Sequence, residues 1–67
     1  MAIKPQVGER AGDIWHLLEK EGPKTLPQIK KKLGGSGELV TLALGWLARE
    51  NKVEITLDKQ NYKVTLK

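Results

Sequence analysis

Residues 36–57 read SGELVTLALGWLARENKVEITL, and within them the apolar repeat changes period. Val40, Ala43, Leu44 and Leu47 recur at the three- and four-residue steps of one helix face. Ser36 suits an N-cap, and Asn51 tolerates the left-handed conformation that ends many helices. A helix is therefore predicted from about Gly37 to Glu50. Beyond it, Val53, Ile55 and Leu57 alternate with Glu54 and Thr56, which is the two-residue period of a strand. Asp58, Lys59, Gln60 and Asn61 supply turn chemistry. Tyr62, Val64 and Leu66 then alternate with Lys63, Thr65 and Lys67, so an antiparallel hairpin with one buried face is expected.

Upstream, the pattern is helical twice. Val7, Ala11, Ile14, Trp15 and Leu18 share a face, with Leu17 at its edge, which predicts a first helix from about Val7 to Glu21. Glu9 and Asp13 are expected towards its start, where negative charge suits the dipole. Gly22 and Pro23 are stop signals. Thr25 with Gln28 forms a capping box for a second helix, with Pro27 tolerated in the first turn. Its Ile29 and Leu33 face inward, while Lys30, Lys31 and Lys32 face largely to water. Gly34, Gly35, Ser36 and Gly37 make a glycine-rich turn into the third helix, and a short strand near Lys24 and Thr25 is an optional third member of the sheet.

The chain has 67 residues, which is the size of one small domain spanning 1–67. Such a chain buries only about 60% of the surface it exposes when unfolded, so a staple is useful. With no cysteine, disulfides and thiolate zinc sites are excluded, and the lone His16 holds no metal by itself. Oligomerisation is the staple that remains. Twelve basic against eight acidic residues give a formal charge of +4, which suits an anionic partner and is also ordinary for a solvated surface. No apolar run approaches the ~20 residues of a membrane span, and the first residues lack the apolar stretch of a secretory signal. A cytoplasmic location is expected.

Three helices followed by a C-terminal hairpin are an α+β arrangement that resembles the winged helix-turn-helix. The stretch LGWLARENKV, Leu44 to Val53, looks like the end of such a third helix entering its wing, in the spacing of Leu44, Leu47, Asn51 and Val53. IWHLLEKEGPKTLPQIKKKLG, Ile14 to Gly34, resembles the first two helices of that fold. The tract Thr41 to Glu54, TLALGWLARENKVE, is similar to a small family of short prokaryotic winged helix-turn-helix proteins, largely uncharacterised. The resemblance implies a fold more than a function.

It also implies a recognition helix. In a helix-turn-helix the second helix of the motif enters the major groove and reads bases with polar side chains. With Val40, Ala43, Leu44 and Leu47 inward, the outward set is Glu38, Thr41, Leu42, Gly45, Trp46 and Arg49. Only Thr41 and Arg49 are plausible DNA contacts, and Glu38 would repel phosphate. Leu42, Gly45 and Trp46 depart from the DNA-reading pattern. Either the first helix and the sheet wrap these residues, or they form an exposed apolar patch for another protein, most simply a second copy. Lys30, Lys31 and Lys32, together with Lys59 and Lys63 on or beside the wing, stand where winged helices can touch phosphates. The alternative is a solvated lysine face, with the wing lysines protecting an edge strand.

His16 is expected on the outer side of the first helix, and Trp15 as core or as an interface anchor. No arrangement of serine and histidine or of paired carboxylates suggests catalysis. The glycine turn lacks the lysine and threonine of a phosphate-binding loop. Hence no enzyme, cofactor, metal or small-molecule substrate is expected. The reading of function is a DNA-binding module, such as a small transcriptional regulator. Its rival is a protein-interaction winged helix that homodimerises or docks a partner through its apolar third helix.

Overall fold

A computed structural model describes residues 3–67. The chain order is α1 (Lys4–Glu21), β1 (Lys24–Thr25), α2 (Leu26–Leu33), α3 (Gly37–Arg49), β2 (Val53–Asp58) and β3 (Asn61–Leu66). The strands form one antiparallel sheet in the order β1-β3-β2. This is an α+β winged helix, and the optional strand at Lys24 and Thr25 is present.

The core is aliphatic and comes from every helix and both hairpin strands. Val7, Ala11, Ile14 and Leu18 of α1 meet Ile29 of α2, the stripe Val40, Ala43, Leu44 and Leu47 of α3, and Val53 and Val64 of the sheet. Among the described residues no polar or charged side chain is buried with them. All four predicted inward positions of α3 are buried.

The helix ends follow their local chemistry. Thr25 Oγ1 accepts from the Gln28 amide at 3.4 Å, and Gln28 Oε1 accepts from the Thr25 amide at 2.9 Å, closing the capping box. Ser36 Oγ accepts from the Leu39 amide at 3.3 Å. At the far end of α3, Asn51 takes φ 62°. The Asn51 amide donates to the Ala48 carbonyl at 3.0 Å and the Lys52 amide to that of Leu47 at 2.9 Å. These two bonds are a Schellman motif. The Asn51 side chain also accepts from Lys67 Nζ at 2.7 Å, tying β3 to the end of α3.

Three details differ from the sequence reading. α1 begins at Lys4, because Pro5 sits in the first turn, where a missing N–H is harmless. Its first turn therefore holds no acidic residue; Asp13 pairs instead with Arg10 at 3.6 Å. α3 ends one residue early, with Glu50 as its C-cap. The hairpin buries only the base of its inner face. Val53 and Val64 are covered, whereas the opposed pair Leu57 and Tyr62 is 63% and 51% exposed, because the hairpin runs on past α3 as a free wing.

Candidate nucleic-acid interface

The outer face of α3 is presented as the helical period requires. Glu38, Thr41, Leu42, Gly45, Trp46 and Arg49 are all exposed, with Leu42 at 50% and Trp46 at 42%. Neither α1 nor the sheet covers them fully. The Thr41 hydroxyl donates to the Gly37 carbonyl at 3.0 Å, so its proton is already engaged within the helix. A β-carbon at Gly45 would meet nothing within 4 Å. Gly45 instead lies along an apolar groove of about 340 Å³ bounded by Leu26, Thr41, Leu44, Ile55, Tyr62 and Val64.

The lysines predicted as a group are divided. The Lys30 stem lies beside Gly37, 3.5 Å from where a β-carbon would stand, and shares a depression with Glu38, Thr41 and Leu42. Lys31 and Lys32 look the other way, towards Lys24 and Gln28. The Glu21 carboxylate receives Lys24 Nζ at 3.1 Å and Lys32 Nζ at 3.5 Å. The hydrogen bond from Lys24, with the charge of Lys32 behind it, holds the Glu21 carboxyl below its ordinary range. The i, i+3 spacing of Glu21 and Lys24 could have revealed half of this cluster. Lys32 joins it only through the tertiary fold.

Arg49 stands in the last turn of α3, exposed. Lys59 occupies the apex of the wing at φ 60°, the first residue of a two-residue loop between the paired Asp58 and Asn61. Lys63 pairs in register with Thr25 and Thr56 and so stands on the opposite sheet face from its buried neighbour Val64. Of the seven polar candidates, Lys30 and Thr41 come together. Lys32 is engaged elsewhere, and Lys63 is on the outer sheet face.

Charge is distributed unevenly along this architecture. The residues before Leu26 comprise four basic and four acidic side chains, whereas those from Leu26 onward comprise eight basic and four acidic. The whole formal charge of +4 therefore belongs to α2, with +3, and to residues 50–67, with +1, while Glu38 and Arg49 leave α3 neutral. Among the described residues no group of three metal-ligating side chains occurs, and no helix is long and apolar enough to cross a membrane.

A helix-turn-helix of α2 and α3, backed by α1 and flanked by a hairpin, defines the winged helix-turn-helix class. Within it the chain belongs to the family described as winged helix-turn-helix domain (DUF2582), whose model matches residues 1–67. It is 45% identical over 65 residues to the uncharacterized protein MJ1608 of Methanocaldococcus jannaschii, covering 92% of this chain and 91% of that one. The solution NMR structure of protein BT2368 from Bacteroides thetaiotaomicron is similar to it with a TM-score of 0.84 and 37% identity, over 97% of this chain and 79% of that one.

Proposed function

We propose that this winged helix is a non-enzymatic module that binds duplex DNA through its phosphates, with little preference for sequence. The observation that carries this is the confinement of the entire net positive charge to α2 and the segment that carries the wing. Lys30, Arg49 and Lys59 are the phosphate contacts, with Thr41 beside Lys30. Phosphate contacts supply affinity, and base contacts supply specificity. The base-reading positions hold Leu42, Gly45 and Trp46, and the Thr41 proton is engaged, so few groups remain to read bases.

An amide-resolved NMR titration with a short mixed-sequence duplex tests this. Three phosphate contacts predict that affinity falls roughly fortyfold between about 50 and 200 mM salt. Lys30→Ala should lower the slope of log affinity against log salt by about one. An affinity weaker than about 1 mM at low salt would sink the reading. A second reading, a protein interface on α3, is favoured by the exposure of Leu42 and Trp46. An unmoved spectrum with duplex would leave that reading standing.

A further inference from the structure

The cleft between α1 and α3 carries a different kind of surface. Gly8 and Gly12 lie inside α1, where glycine weakens a helix, and a β-carbon at either would meet nothing within 4 Å. The fold of one chain has no packing need for them. They open a groove of about 390 Å³ between α1 and α3 whose walls include Trp15 and Trp46. Trp15 is half-buried and set edge-on to His16, with centroids 5.4 Å apart and planes at 84°.

We propose that this groove is a homodimer interface in which α1 packs antiparallel against α1 of a second copy. Lys4, Gly8, Gly12, Trp15 and Glu19 share one face at helical spacing. A two-fold axis between Ala11 and Gly12 sets Lys4 opposite the partner's Glu19. The same axis sets Trp15 over the partner's Gly8, so the largest side chain of the stripe meets a position with none. Each such match occurs twice, as an isologous interface requires. The charges are available for this. Lys4 makes no ion pair among the described residues, and Glu19 approaches only His16, at 3.9 Å.

The interface leaves α2, Arg49 and the wing open, so the phosphate contacts stay available in the dimer, and Trp46 is the one residue the two surfaces share.

Sedimentation equilibrium across a concentration series tests it, with four proteins. Wild type should weigh twice 7.5 kDa at high concentration. Gly8→Leu should be monomeric and, at concentrations where wild type is monomeric too, at least as resistant to heat, since leucine favours the helix and finds open space. Lys4→Glu should weaken association roughly tenfold through two like-charge pairs, and Lys4→Glu with Glu19→Lys should restore it. A wild type that stays monomeric at about 1 mM overturns the proposal. So does a dimer that survives Gly8→Leu and dissolves on Leu42→Asp, which would place the contact on the outer face of α3.

Discussion

The two faces of α3 are built from similar residues and meet different fates. Inward, Val40, Ala43, Leu44 and Leu47 are buried. Outward, Leu42 and Trp46 remain about half exposed around Gly45, which has no side chain at all. Hydrophobic burial explains the first set completely: each side chain leaves water and fills a close-packed interior. It does not explain the second. An apolar residue in the core is accounted for by folding, whereas one on a recognition helix is accounted for only by what touches it.

That contrast can be broken by substitution. The largest effect is expected at Leu47→Ala, which should cost about 2–5 kcal/mol in denaturant unfolding because it leaves a cavity in the core. Leu42→Ala, measured at the same protein concentration, should cost about 1 kcal/mol or less. Equal losses at the two sites would erase the distinction between the faces. Gly45→Ala sharpens it from the other side. With open space for the new methyl group and a helical backbone, thermal unfolding should report a gain of about 0.5–1 kcal/mol. A loss there would mean that the groove beside Gly45 closes in solution.

The smallest effect belongs to the ion cluster behind α2. Glu21 has its carboxyl lowered in the folded chain, chiefly by the Lys24 hydrogen bond. Its contribution to stability is therefore complete above the ordinary carboxylate range and lost as pH falls through the lowered value. In acid unfolding monitored by circular dichroism, wild type should exceed Glu21→Gln slightly at neutral pH, and the two curves should converge in that acid window. A gap that persists to the acid end would show that the cluster acts by packing and not by charge.

Much of this molecule was legible from the amino acids alone, and for a physical reason. Caps and periods are local: Thr25 with Gln28, Ser36, and Asn51 each determine a helix end within a few residues of themselves. The outward set of α3 followed from helical geometry once the inward set was known. What was not legible depends on distance through space. Nothing near Lys32 in sequence announces that Glu21 will hold it. Nor does the alternation of Leu57 and Tyr62 reveal that α3 stops short of covering them. The start of α1 lies ahead of its apolar period, because Lys4, Pro5 and Gln6 carry none, although proline there is a recognised opening residue.

The strand order has a consequence for how the chain comes to be folded. β3 is the last strand to be synthesised and yet occupies the middle of the sheet, between β1 and β2. Until residues 61–66 leave the ribosome, β1 has no partner at all and β2 lacks the strand that closes its hairpin. Closing the sheet joins Thr25 to Lys63 across most of the chain, a long-range step that is slow to form. Before then, α1, α2 and α3 can associate only as a helical assembly with Leu44 incompletely covered. A chain truncated before residue 61 should accordingly be open to proteases along α3, and one that carries residues 61–66 should be protected there.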